Sequence, residues 1–247
     1  MSFKSKVVIV TGASAGIGAA TAVHFAKEGA SVVIVGRNEA RLKDIAAKCA
    51  AVGSAPLVVR ADVSNDDDAR RIISETIKKF GKLDVLINNA GVLEYGTILN
   101  GKILESYDKN ISINLRAVIH MTMLAAPYLV KTKGNIVNVS SVLGQFHMMP
   151  MVNAYATSKA GLDHFTRGSA KELAASGVRV NAVSPGPVET NMLMTFESSE
   201  DTQEVNTPLG RVSQPAEVAD LILFMASDKA KAITGSVFLA DNGVILG

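Results

Sequence analysis

The 247-residue chain has one cysteine, Cys49, so no internal disulfide can staple it. A reducing, cytoplasmic setting is the expectation. Charge is scarce: 19% of residues are Asp, Glu, Lys or Arg, and the net charge is +2. Lys and Arg never run beyond two in succession. Phosphate neutralisation needs a clustered basic face, which argues against nucleic acid as a partner. Met1 to Lys6 contains no apolar run of the signal-peptide kind. The longest apolar stretch, Ala117 to Val130, is shorter than a membrane span and contains His120 and Pro127. A buried helix is expected there, and no membrane span. There is no Pro/Gly/Ser linker, low-complexity tract or break in composition, and no metal site is expected. Residues 1–247 therefore read as one domain, long enough to bury a sizeable core.

What the chain does have is alternation. Short apolar runs occur at Val7–Val10, Val32–Val35, Leu57–Val59, Val85–Ile87, Ile136–Val139, Val178–Val183 and Val237–Leu239. Most are rich in Val and Ile and lack in/out alternation, as strands buried on both faces do. Helical signatures lie between them. Ile17, Ala20, Thr21, His24 and Phe25 recur at helical spacing, with Gly29 as a stop. Ser64 is the expected N-cap of a second helix, with Asp67 three residues on and an apolar stripe from Ala69 to Phe80 before Gly81. Strand–helix alternation implies βαβ units. The expected fold is α/β: a Rossmann-like, doubly wound parallel sheet of about seven strands with helices on both faces.

The first strand runs into Thr11-Gly12-Ala13-Ser14-Ala15-Gly16-Ile17-Gly18, and a helix follows. Glycines let backbone turn tightly and approach a diphosphate, and the helix N-terminus offers unpaired N–H groups. A dinucleotide is the expected ligand. The same residues match G-x-S-x-G, the nucleophile elbow of α/β-hydrolases, with Ser14 as nucleophile. That rival needs His24, His120, His147 or His164 as base, and an elbow normally follows several strands rather than the first.

After the second strand, an acid would hold a ribose 2′-hydroxyl, whereas a cation would hold a 2′-phosphate. Here the strand ends Gly36-Arg37-Asn38, with no carboxylate before Glu39. Arg37 can grip a phosphate with two donors, so NADP(H) is expected over NAD(H), with Arg37 and Asn38 as contacts.

Tyr155 and Lys159 stand four apart, which on a helix places them on one face. A phenol titrates near pH 10. An ammonium about 5 Å away contributes on the order of 3 kcal/mol at an effective dielectric of about 20. That would lower the phenol pKa by about two pH units, toward the range useful for acid–base work.

Taken with Asp62-Val63, Asn88-Asn89-Ala90-Gly91, Asn114, Ser140-Ser141 and Pro185-Gly186, in that order along the chain, these motifs resemble the short-chain dehydrogenase/reductase family over nearly the full length. The resemblance implies hydride transfer between nicotinamide and a carbonyl or alcohol. By it, Tyr155 moves the proton, Lys159 lowers the tyrosine pKa and holds ribose hydroxyls, and Ser141 donates to the substrate oxygen. Ser141 is preferred to Ser140 on spacing and on its place at the strand mouth. Asn114 would support a water joining Lys159 to solvent. Gly12, Ser14, Gly16, Ile17 and Gly18 would line the diphosphate, and Asp62 and Val63 would flank the adenine. Asn89, Ala90 and Gly91 would pass close to the cofactor, with bracing of neighbouring strands as the other role open to Asn89. Pro185, Gly186, Val188 and Thr190 would meet the nicotinamide end. One departure weakens the NADP case: relatives that prefer it often carry Arg or Lys where this chain has Ala15.

The segment of about 189–211 corresponds to the family's substrate lid. Met148, Met149, Met192 and Met194, with Ser141 and Tyr155, are the expected substrate contacts. Met is flexible and polarisable, so a bulky lipophilic carbonyl such as a steroid, retinoid, isoprenoid or aliphatic ketone is expected first. A 3-oxoacyl thioester is the main alternative. A dinucleotide-binding protein without turnover is a further one, opposed by the intact Asn114, Ser141, Tyr155 and Lys159. A homotetramer is expected by resemblance, with the Ala117–Val130 and Tyr155–Ala175 helices pairing across two-folds.

Overall fold

The computed structural model describes residues 1–146, 149–193 and 207–246. Seven strands appear where the apolar runs predict them: β1 (Val7–Thr11), β2 (Ser31–Gly36), β3 (Leu57–Arg60), β4 (Val85–Asn88), β5 (Asn135–Val139), β6 (Arg179–Pro185) and β7 (Val237–Ala240). They form one sheet in the order β3-β2-β1-β4-β5-β6-β7, parallel throughout. The helices are α1 (Gly16–Lys27), α2 (Glu39–Val52), α3 (Asp66–Phe80), α4 (Ile103–Ile111), α5 (Ala117–Thr132), α6 (Asn153–Leu173) and α7 (Pro215–Ala226), with a π-helical turn, Ser112–Arg116, joining α4 to α5.

Two apolar clusters explain why the central strands carry no polar face. Val8, Val10, Ile34 and Ile87 pack with Phe25, Leu42 and Ile222 on one side of the sheet. Val7, Ile9, Val33 and Leu86 pack with Ile72, Met121 and Leu129 on the other. Successive strand residues point to opposite faces, so both sets are buried. The edge strands differ: Val58 on β3 and Leu239 on β7 are exposed.

Two sequence expectations need correction. The N-cap of α3 is Asn65, not Ser64: its side chain accepts from the Asp67 and Asp68 amides at 2.9 and 3.1 Å. Ser64 is engaged elsewhere, donating to Asp62 at 2.7 Å. The second concerns α5, which is buried on one face only. Met121, Ala125 and Leu129 pack inward, whereas Ile119, Met123 and Val130 are exposed. With α4 it forms one helical run, 103–132, long and apolar enough by length and composition to cross a membrane, although 39% of its most apolar window is buried in the protein.

The chain leaves β1 toward β2 and β3, then returns to lay β4 on the other side of β1. The carboxyl ends of β1 and β4 therefore open a crevice, the place where open α/β sheets bind ligands.

Candidate active site

The crevice floor is the turn from β1 into α1. Gly12 has φ +66°, and a Cβ there would lie 2.8 Å from the Ala90 Cα. A Cβ on Gly18 would lie 2.4 Å from the Gly12 carbonyl oxygen. Only glycine permits both contacts. Helix α1 opens with no acidic residue in its first turn and no side-chain cap, so its first N–H groups face the cleft unneutralised.

Asn89 braces this turn from β4. Its amide donates to the Thr11 carbonyl at 2.9 Å and the Gly12 carbonyl at 3.3 Å. Thr11 answers by accepting from the Asn89 and Ala90 amides at 3.0 and 3.1 Å. The switch point is thus stapled by its own polar groups.

The cleft above has a volume of about 850 Å³. It brings together Gly12, Ser14, Gly16, Ile17, Arg37, Asp62, Val63, Asn89, Ala90, Gly91, Ser141, Met149, Tyr155, Lys159, Pro185, Gly186, Val188, Thr190 and Met192. Three expected residues do not line it. Gly18 lies beneath the turn against Gly12. The Asn38 side chain caps α2, accepting from the Arg41 amide at 3.0 Å. Asn114 is fully buried; its amide nitrogen donates to Val92 O at 2.9 Å and Ser158 Oγ at 3.1 Å, and its oxygen accepts from the Val92 amide. Met148, Met194 and the middle of the expected lid, 194–206, lie outside the described residues, as does His147. The flanks of the lid are joined by hydrogen bonds between Glu189 N and Ser213 O and between Ser213 N and Pro187 O.

Sequence reading missed several apolar wall residues: Val92, Leu93, Val142, Leu143 and Val244. Val142 and Leu143 follow Ser141 directly, and that adjacency was the available signal. Val244 comes from the far C-terminus, carried in by β7, and no local pattern announces it.

Ser141 lies two residues beyond β5 and caps a short helical turn, accepting from the Leu143 amide at 3.2 Å. Its hydroxyl faces the Tyr155 phenol. Lys159 donates from Nζ to Val139 O at 2.9 Å and stands 5.7 Å from the Tyr155 ring centroid. Tyr155 and Lys159 are 6% and 4% exposed. The expected lowering of the phenol pKa is not what this arrangement gives. Burial pushes Tyr155 up to about 12, with the neighbouring Ser141 hydroxyl only partly opposing it. Burial pushes Lys159 down to about 8, opposed by the charge of Asp163. Desolvation outweighs the pair attraction because both groups are enclosed. The result is a phenol that holds its proton firmly beside an amine that titrates near neutrality.

Ser14 has no base among the described residues. His24 bonds Asp220 at 3.0 Å and His120 stands 3.3 Å from Asp66; neither they nor His164 line the cleft. The hydrolase alternative loses its support there. No metal-ligating cluster occurs among the described residues.

Residues 12–245 match a family model described as enoyl-(acyl carrier protein) reductase. The chain is 38% identical over 248 residues to the 3-oxoacyl-[acyl-carrier-protein] reductase FabG of Thermotoga maritima, covering all of both chains. A short-chain dehydrogenase from Burkholderia cenocepacia J2315, solved in complex with NADP, superposes with a TM-score of 0.92 at 31% identity, over 99% of this chain and 100% of that one. The apo glucose dehydrogenase of Caenorhabditis elegans superposes with a TM-score of 0.87 at 40% identity over all of both chains.

Proposed function

The chain belongs to the short-chain dehydrogenase/reductase family, and we propose that it uses NADPH to reduce the 3-oxo group of an acyl thioester. The observation that carries this reading is 38% identity, over the full length of both chains, to a 3-oxoacyl-[acyl-carrier-protein] reductase, joined to a buried Ser141, Tyr155 and Lys159 in one cleft. It reverses the order expected from sequence, which put lipophilic ketones first.

The cleft fits a dinucleotide. Gly12 leaves room where a Cβ would strike backbone, and the first turn of α1 presents N–H groups to a diphosphate. Arg37 and Asp62 stand at one end, and Tyr155 and Lys159 at the other. Arg37 would take the 2′-phosphate, consistent with the NADP complex of the Burkholderia relative. NADPH supplies the hydride when bound. Ser141 donates to the substrate carbonyl oxygen and fixes its position beside the phenol. Tyr155 Oη gives its proton to that oxygen as the carbonyl carbon takes the hydride, leaving a hydroxyl. Lys159 carries the positive charge that offsets the phenolate left behind, and Asn114 holds the 92–114 crossing against which Lys159 packs.

A second reading keeps the lipophilic ketone. Val142, Leu143, Met149, Met192, Leu193 and Val244 give the substrate end an apolar wall. The assembly proposed is a homotetramer, supported by the exposed Leu104, Tyr107, Ile119 and Met123 on α4 and α5. NADPH absorbance, followed with acetoacetyl-CoA and with a panel of steroid, retinoid and aliphatic ketones, separates the readings. The highest kcat/KM is expected on the thioester. High efficiency on a ketone with none on the thioester would reverse the order.

A further inference from the structure

Helix α6 carries one more buried ionisable group beside Tyr155 and Lys159. Asp163 lies about one helical turn beyond Lys159, is 2% exposed, and does not line the cleft. No full hydrogen bond closes on either of its carboxylate oxygens, although the Ser140 hydroxyl and the Gln145 side chain face them. Ser140 and Gln145 flank Ser141 and its helical turn, so Asp163 packs behind the strand end that carries the serine. Ser140 ties the same corner together by donating to Lys159 O at 3.4 Å. Among the described residues the charged groups acting on Asp163 are Lys159 and Arg167, both on α6, with Arg167 exposed. The groups facing it from the β5 end and the turn after it are neutral.

A buried carboxylate without hydrogen bonds is costly, and so is a buried ammonium held by a single carbonyl. Placed four apart on one helix, the two share a face without closing an ion pair; burial raises the Asp163 carboxyl, and the Ser140 hydroxyl with the charges of Arg167 and Lys159 oppose that rise. Nothing in the hydride or proton transfer described above needs Asp163 itself. We infer that Asp163 is a positioning residue: it keeps Lys159 in its ammonium form at working pH, acting through that side chain from behind the cleft wall. This rests on the proposed role of Lys159 as the charged partner of Tyr155 and of the cofactor. The burial that pulls the lysine toward neutrality is opposed by this one acid.

The test is NADPH affinity, measured by fluorescence across pH, for wild type and Asp163→Asn. In the wild type, affinity falls as rising pH removes the ammonium. The amide keeps the shape and removes the charge, so the midpoint of that fall moves to lower pH by about one pH unit or more. The pH profile of kcat for acetoacetyl-CoA reduction moves with it. A purely structural residue would lower affinity equally at every pH. An unmoved midpoint in the folded variant therefore overturns the inference. Should the amide not fold, Asp163→Val, close in volume and apolar, carries the same expectation. Failure of both to fold would assign Asp163 to the core and overturn it as well. A wild-type protein that binds no NADPH at any pH brings down the cofactor reading together with this inference. A wild-type pH dependence shared unchanged by the variant brings down this inference alone.

Discussion

Arg37 reaches across one end of the cleft to Asp62, Nη1 to Oδ2 at 3.6 Å. Both side chains are substantially exposed, so the pair itself adds little to stability. Its interest is competition. Burial raises the Asp62 carboxyl, but two hydrogen bonds from Ser64 and the charge of Arg37 outweigh it and hold the group below the usual carboxylate range. Asp62 is thus a standing anion, and on the proposed reading a 2′-phosphate would compete with it for Arg37. Arg37→Ala is expected to raise the KM for NADPH by about ten- to hundredfold, the loss of one charge-assisted hydrogen bond. The KM for NADH, which has no phosphate at that position, stays within about twofold. Steady-state kinetics with both cofactors decides it. An equal change for the two would remove Arg37 from the phosphate site.

The alkaline limb of carbonyl reduction should belong to Lys159 and not to Tyr155. Tyr155 keeps its proton up to about 12, so the loss of that proton does not limit the rate at ordinary pH. Lys159 is pushed down to about 8: the ammonium is present below that value and lost above it. The kcat for reduction is therefore expected to fall as pH rises through about 8. Lys159→Met should be slow at every pH and lack that fall. Tyr155→Phe should lose about 10²- to 10⁴-fold in kcat while its thermal midpoint stays close to wild type. A Tyr155→Phe enzyme with wild-type turnover would take the proton-transfer role from the phenol.

Much of this was legible in the order of residues. All seven strands follow from short apolar runs, and in the central ones a parallel sheet buries both faces and leaves no alternation to misread; the edge strands β3 and β7 are partly exposed. Tyr155 and Lys159 follow from helical spacing. What failed was what depends on enclosure. Four-residue spacing says that the ammonium is near the phenol, but not that both lie under a few per cent exposure, where desolvation reverses the direction of the tyrosine shift. Asp163 is invisible for the same reason: on a helix face it reads as one more acid, and only packing against Ser140 marks it. Asn38 looks like a ligand contact in sequence, yet its amide spends itself on a helix cap; Asn89, for which bracing was the other reading, both braces the glycine turn and lines the cleft. Val244 arrives from the far end of the chain, and distance along the sequence hides it.

Cys49 tests the core rather than the site. It is fully buried on α2, and burial pushes its thiol up to about 11. The thiolate is the reactive form, so both its population and its access are suppressed in the native protein. Native protein incubated with iodoacetamide near pH 8 is expected to remain unmodified by mass spectrometry, and guanidinium should release one reactive thiol per chain. Rapid labelling without denaturant would show that α2 opens far more readily than its packing implies.

The glycine turn makes the sharpest stability prediction, because two glycines with similar backbone angles sit in different surroundings. Gly12 and Gly81 have φ +66° and +74°. A side chain at either adopts a left-handed conformation that costs roughly 1 kcal/mol or somewhat more. At Gly81, beyond the C-terminus of α3, nothing lies within 4 Å of an added Cβ, so Gly81→Ala should carry that strain alone. At Gly12 the added carbon meets the Ala90 Cα and the Asn89 amide nitrogen, each at 2.8 Å. The Ala90 contact is with backbone, which cannot rotate aside, and the Asn89 contact is with the amide that staples β4 to the turn. Gly12→Ala should therefore lose more stability than Gly81→Ala. With about 2–4 °C of thermal midpoint per kcal/mol in a chain of this size, the gap should be several degrees. NADPH affinity should drop only in Gly12→Ala, since Gly81 is remote from the cleft. Thermal unfolding and fluorescence titration of the two variants side by side measure both differences. Equal losses of stability would mean that the β1–β4 corner yields to a methyl group, and the stapled switch point described above would not be rigid.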